Sequence, residues 1–145
     1  MGYCIDQLGC NFFIKAEDKV KALQAVKKLM KLANKIGQGG SYGPNGKTEQ
    51  WFSWVGTADV LKADTLEKAM EEWRYCPSTD EWGNINSVRF YGEKLGQEME
   101  LFKVLAPFVK DGSYIEMQGE DGSVWRWAFK KGEVKEQAAK FVYND

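Results

Sequence analysis

The sequence predicts an α+β domain: a two-layer sandwich with a mainly antiparallel sheet in ferredoxin-like, split βαβ order. Helices would cover one sheet face, with a helical insertion and an added C-terminal hairpin. Three observations carry this expectation. Hydrophobic residues recur with period two in some segments and at three- and four-residue steps in others, as strands and helices require. Glycine, proline and Asx residues cluster between those segments. The 145 residues are 43% hydrophobic and 14% aromatic, enough for one core, so residues 1–145 are expected to form a single domain that folds without disulfide or metal.

Taken in order, residues 3–15 place Leu8, Cys10, Phe12 and Ile14 at alternate positions and predict a first strand with one buried face. Residues 18–35 change period: Val20, Leu23, Val26, Met30 and Ala33 form a stripe that Leu29, Leu32 and Ile36 widen, which predicts one amphipathic helix ended by Gly37. Residues 37–50 contain five glycines and Pro44 and read as a long flexible loop. Trp51 to Val55 reads as a short aromatic strand.

Asp64 followed by Glu67 resembles a capping box, and Leu66, Met70 and Trp73 supply the stripe of a second helix ending near Cys76-Pro77. A third strand is expected over residues 85–91. Phe102, Leu105 and Val109 then mark a third helix whose last turn Pro107 disturbs. Two strands flank Glu120-Asp121-Gly122, a three-residue hairpin loop with Gly122 left-handed, and Val134 onward adds an edge strand or tail.

That loop fixes a register. Gly119 pairs with Ser123, so Met117 opposes Trp125, Ile115 opposes Trp127 and Glu116 opposes Arg126. A loop one residue longer would set Glu116 against Trp125 and mix the two faces. The large apolar side chains therefore share the inner face. On the third strand the same parity turns Val88 and Phe90 inward and Arg89 and Tyr91 outward. Arg89, Tyr91, Tyr114, Glu116 and Arg126 are expected on one open, solvated sheet face, a set that holds two of the three arginines and residue types enriched at binding hot spots.

Composition excludes several chemistries. The chain has no histidine, so no Ser-His-Asp or Cys-His nucleophile system, His general base or His-ligated zinc can be built from it. Twenty basic against 21 acidic residues leave a net charge of −1, which argues against the broad positive field of non-specific nucleic-acid binding. Cys4, Cys10 and Cys76 form no Cys-x-x-Cys pair and read as reduced, buried thiols in a cytoplasmic protein. The first residues lack a signal-peptide pattern, Asp6 stands where myristoylation wants Ser or Thr, and no apolar run is long enough to span a membrane.

The remaining motifs are weak. Ser41-Tyr-Gly-Pro-Asn-Gly46-Lys47-Thr48 mimics the end of a phosphate-binding loop, but Ser41 replaces the needed glycine and the segment follows a helix. Asp121 and Glu133-Val134-Lys135 suggest a metal-nuclease arrangement, yet a whole strand separates them. Glu71 and Glu72 are helical neighbours and face different ways. Lys21, Lys28 and Lys35 lie on the lysine-rich first helix, opposite in sign to residues 57–83, which hold seven acidic and three basic residues. That stripe is a basic patch for nucleic acid on the alternative reading. No cofactor and no metal site are expected.

Two stretches, Tyr91-Gly-Glu-Lys-Leu-Gly96 and Gly112-Ser-Tyr-Ile-Glu-Met-Gln-Gly-Glu-Asp-Gly-Ser-Val-Trp-Arg-Trp-Ala-Phe129, together resemble small uncharacterised proteins of bacteria, their phages or other mobile elements. The resemblance covers the last third of the chain and implies a genomic neighbourhood, with no catalytic residues attached. Small mobile-element proteins often act by blocking a host protein, an anti-CRISPR factor being one form. The expectation is a non-enzymatic, cytoplasmic protein-binding module with a protein partner, a second copy of the chain being an admissible one. The alternative is a nucleic-acid-binding module using Lys21, Lys28 and Lys35.

Overall fold

The computed structural model describes residues 3–43 and 46–139. In chain order the elements are β1 (Ile5–Asn11), α1 (Lys19–Met30), α2 (Ala33–Ile36), β2 (Gly39–Gly43), β3 (Gly46–Trp51), α3 (Thr57–Lys62) and α4 (Leu66–Glu72). There follow β4 (Tyr75–Thr79), β5 (Ile85–Phe90), α5 (Glu98–Leu105), β6 (Tyr114–Gly119), β7 (Val124–Lys130) and β8 (Glu133–Ala138). The fold is α+β with antiparallel ladders. One four-stranded sheet has the order β1-β6-β7-β8, and two-stranded sheets pair β2 with β3 and β4 with β5.

The expected hairpin is present in the expected register. Glu116 opposes Arg126, Met117 opposes Trp125 and Ile115 opposes Trp127. Gly119 N donates to Ser123 O at 2.8 Å, and Gly122 takes φ +85°, the left-handed value that glycine adopts without a Cβ clash. The segment after Lys131-Gly132 is strand β8, paired antiparallel with β7. Parity then buries Ile115, Met117, Trp125, Trp127 and Phe129. Phe102 of α5 lies on this inner face, 4.9 Å from the Trp127 ring centroid and 5.9 Å from Phe129. Tyr75 completes the stack at 5.1 Å from Phe102.

The single continuous sheet of the expectation is corrected. β5 lies beside β1, but the backbone hydrogen bonds between the two segments flank the strands: the reciprocal Ile14–Ile85 pair at 2.9 Å, beyond the end of β1, and Ile5 N to Glu93 O at 2.8 Å, beyond the end of β5. Between those points β1 carries a bulge against β6, its register shifting from Gln7 to Gly9. The Gln7 side chain bridges the gap: its Nε2 donates to Val88 O at 2.9 Å and its Oε1 accepts from Phe90 N at 2.6 Å. Leu8, expected in the buried row, is consequently 49% exposed.

The predicted first helix is also two pieces. Lys31 and Leu32 bond back three residues, to Lys28 O and Leu29 O, and the chain turns there so that α1 packs on α5, α3 and α4 while α2 packs on β3. Ala22, Val26, Leu29, Met30 and Ala33 are buried, whereas Val20, Leu32 and Ile36 are exposed. The glycine-rich segment is the β2–β3 hairpin rather than a long loop, its tip at 44–45 lying outside the described residues. Close approach explains the glycines: a Cβ at Gly37 would lie 2.5 Å from the Trp51 backbone, and one at Gly39 2.4 Å from Trp51 Nε1. Residues 52–55, expected as strand, turn instead. The cap of α4 is Thr65, whose side chain accepts from Lys68 N, rather than Asp64. Pro77, expected to end a helix, sits in β4, which has only one hydrogen-bonded neighbour and so tolerates a residue without an N–H.

The β4–β5 connection displays Trp82, 73% exposed, on a turn organised by Asp80. The Asp80 carboxylate accepts from Trp82 N at 3.0 Å, Asn84 N at 2.9 Å and Asn84 Nδ2 at 3.0 Å. Partial desolvation works to raise its pKa, but the bonds from Asn84, Trp82 and Gly83 outweigh that and lower it. A carboxyl with a depressed folded-state pKa stabilises the fold above its unfolded value, and the contribution is lost as pH falls through the folded value. Asp80→Asn should therefore melt lower than the wild type at neutral pH, and the gap should close as acid takes the solution through the folded-state value, as thermal melts along an acid series will read.

Candidate functional site

The solvated face of the four-stranded sheet is built from the residues whose neighbours in the strand are buried. The ladders set Gly9, Glu116, Arg126 and Gln137 in one row, and Asn11, Tyr114, Ala128 and Lys135 in the next. Arg126 Nε donates to Glu116 Oε2 at 2.6 Å, and its guanidinium carbon lies 4.0 Å from the Tyr114 ring centroid. The hydrogen bond to Glu116 raises the Arg126 pKa against a smaller opposing desolvation. Both side chains meet solvent, at 46% and 28% exposure, so the pair stabilises the hairpin by only about 0.2–1 kcal/mol. Its larger effect is geometric. A long arginine is held over a tyrosine ring with only its Nε–H bonded to Glu116 among the bonds described, which leaves its other N–H groups for a ligand.

Beside that stack runs a groove of about 680 Å3, floored by Tyr114, Ala128 and Arg126 and walled by the β7–β8 turn. Its charged lining is Arg126, Lys130, Lys131 and Lys135 against Asp111 and Glu133. The charge is net basic in a chain that is otherwise slightly acidic. Lys131 takes φ 53° at the turn and its N–H is held by Asp111 Oδ1 at 2.8 Å, so the rim has a defined shape. No protein-family model, curated protein or solved structure matches the chain.

The other two predicted face residues stand apart. Arg89 is exposed and Tyr91 is 62% exposed, as strand parity requires, and Arg89 lies 5.7 Å over the Tyr91 ring. They belong, however, to β5 and its continuation, in a separate ladder from Tyr114, Glu116 and Arg126. Arg89 lines a crevice of about 580 Å3 between β1 and β5 with Leu8 and Gly9. The expected set of five is thus corrected to a group of three and a group of two. Lys21, Lys28 and Lys35 are all exposed, but the turn at Lys31–Leu32 places Lys35 on α2 and the other two on α1.

The weaker motifs find no common centre. Asp121 accepts from the Tyr3 hydroxyl, while Glu133 pairs in register with Lys130 at the opposite end of β7. Ser41 and Lys47 stand on facing strands of a hairpin, not between a strand and a helix. The three thiols are free and half-buried rather than fully buried. Cys10 Sγ donates to Val88 O at 3.3 Å, and Lys94 Nζ donates to Cys4 Sγ at 3.0 Å.

Sequence reasoning passed over one polar cluster entirely. Arg74, at φ 73°, reaches Glu98 Oε1 at 3.2 Å and Lys94 O at 2.7 Å. Glu98, only 1% exposed, also accepts from Tyr75 OH at 3.1 Å and Gly96 N at 2.6 Å. Burial first, then the Glu98 charge, pushes the Tyr75 hydroxyl well above its ordinary pKa. The one available signal was the Gly92 and Gly96 pair, since a Cβ at either would crowd Arg74.

Proposed function

We propose that this chain is a non-enzymatic protein-binding module that docks an acidic segment of its partner on the outer face of the β1-β6-β7-β8 sheet. The observation that carries the reading is Arg126, clamped between Glu116 and Tyr114 at the edge of a net basic groove. A guanidinium whose orientation is fixed before binding loses little rotamer freedom on meeting a carboxylate, and Arg and Tyr in a concave site are hot-spot types. The resemblance of residues 91–96 and 112–129 to proteins of phages and other mobile elements supports one concrete form, an inhibitor of a host protein such as an anti-CRISPR or other anti-defence factor. A cytoplasmic setting suits that form.

Affinity capture from lysate of the source cells, followed by mass spectrometry and titration of the captured protein, tests it. Arg126→Ala and Tyr114→Ala should each weaken the complex roughly 30-fold, about 2 kcal/mol. Circular dichroism should stay unchanged, because neither side chain contributes to the core. Undiminished capture by both variants would leave this face as ordinary solvated sheet. Recovery of a polynucleotide, released steeply by salt and lost on Lys21→Glu, Lys28→Glu and Lys35→Glu together, would favour the nucleic-acid reading carried by those exposed lysines.

A further inference from the structure

Two indoles and two carboxylates line an open groove of about 500 Å3 at the start of α3, well separated in sequence from the sheet face. They belong to Trp51, Trp54, Glu49 and Asp59, and among the side chains described no lysine or arginine lines the groove. Glu49 and Asp59 are exposed and form no ion pair with any side chain described. Both indoles are fixed against glycine. A Cβ at Gly39 would lie 2.4 Å from Trp51 Nε1, and one at Gly96 would lie 2.9 Å from Trp54 Cδ1. Trp54 takes φ 68°, a left-handed conformation unfavourable for so bulky a residue, yet 56% of it stays exposed. A large apolar ring held in a strained conformation at the surface, beside uncompensated negative charge, is organised to receive a cation.

The protein already holds one guanidinium with this combination of groups. Arg74 lies 6.0 Å from the Trp54 centroid and 5.2 Å from that of Phe90, with the Glu98 carboxylate 3.2 Å away. Arg74 is not part of the groove lining, so the groove is a second approach to the same indole. We propose that the groove binds the guanidinium of an arginine side chain presented by a partner polypeptide, stacked on indole and paired with Glu49 and Asp59. A planar guanidinium both stacks on an aromatic face and bonds carboxylate in a fork, whereas an ammonium does only the electrostatic part. The proposal concerns a different surface from the basic groove and stands independently of it.

The test is a titration with the blocked tripeptide acetyl-Gly-Arg-Gly-amide, read on indole N–H signals assigned through Trp51→Phe and Trp54→Phe. Saturable movement of the Trp54 signal is expected. Affinity should be lower by roughly tenfold or more when citrulline replaces arginine, since the charge is gone and the shape is kept. The double variant Glu49→Gln with Asp59→Asn should show the same loss without a change in melting temperature, both side chains being solvated. No saturation by about 10 mM peptide, equal binding of the citrulline peptide, or unweakened binding by the double variant would each overturn the proposal.

Discussion

Glu98→Ala should lower the unfolding free energy by about 3–5 kcal/mol, the usual penalty for leaving one member of a buried ion pair alone. Glu98 is 1% exposed and the Arg74 side chain 14%. Truncation removes at once the counter-charge of Arg74, the acceptor of the Tyr75 hydroxyl and the acceptor of Gly96 N. In a domain near this size, roughly 2–4 °C of melting temperature accompanies each kcal/mol, so the fall should be about 6–20 °C. Glu98→Gln keeps the shape and one good acceptor but no charge, and should cost roughly 1.5–3 kcal/mol. The sign of a third variant separates pairing from burial. Because desolvating two charges cancels most of their attraction, replacing both partners, Arg74→Met with Glu98→Leu, should cost less than Glu98→Ala alone. If chemical denaturation finds the single change as stable as the wild type, the cluster does not hold the segment between β5 and α5.

This cluster also marks where single-sequence reasoning stops. The β6–β7 register was legible because everything that sets it is local: a three-residue loop, a glycine at the left-handed position and strict two-residue alternation on either side. Leu8 leaves the buried row because a bulge adds one residue to one strand, and the residue that compensates, Gln7, does so through Val88 and Phe90, about eighty positions away. The five glycines of residues 37–50 predict a loop because glycine usually breaks strands. Here Gly37 and Gly39 are what let the hairpin close on Trp51.

The candidate face divides along the same line. Parity correctly turned Arg89 and Tyr91 to solvent, but parity is a property of one strand. Which strands share a sheet depends on pairing between distant segments, and β5 ladders with β4 rather than with β1, which leaves Arg89 outside the sheet that carries Arg126. Tyr114, Glu116 and Arg126 lie on two adjacent strands of one hairpin, so their association needed no long-range information. The left-handed conformations of Trp54 and Arg74 leave no trace in composition or periodicity, and only the Gly92 and Gly96 pair hints at the space that Arg74 fills.

Phe102→Ala should be the most damaging single truncation in the core, at the upper end of about 3–5 kcal/mol. The residue is fully buried, and through it α5, only eight residues long and packed on α1, reaches Trp127 and Phe129 of the sheet. Removing the ring empties the space between the layers and deletes three aromatic contacts, to Trp127 at 4.9 Å, Tyr75 at 5.1 Å and Phe129 at 5.9 Å. Each such pair adds on the order of 0.5–1.5 kcal/mol beyond the area it buries. Against a typical total of about 5–15 kcal/mol, the variant retains a folded state with little reserve. Phe102→Leu leaves a smaller cavity and should cost roughly half as much. Urea titrations with near-ultraviolet circular dichroism will show both effects, since Trp127 and Tyr75 lose their fixed surroundings with the ring. The contrast with Arg126→Ala is the useful one: Phe102 supports the sheet from the inner side, and Arg126 contributes almost nothing to that support. A partner captured at low temperature by folded Phe102→Ala, yet lost by stable Arg126→Ala, would place recognition on the outer surface of β6 and β7 and support on their inner one. Equal loss in both would mean that capture tracks folding alone.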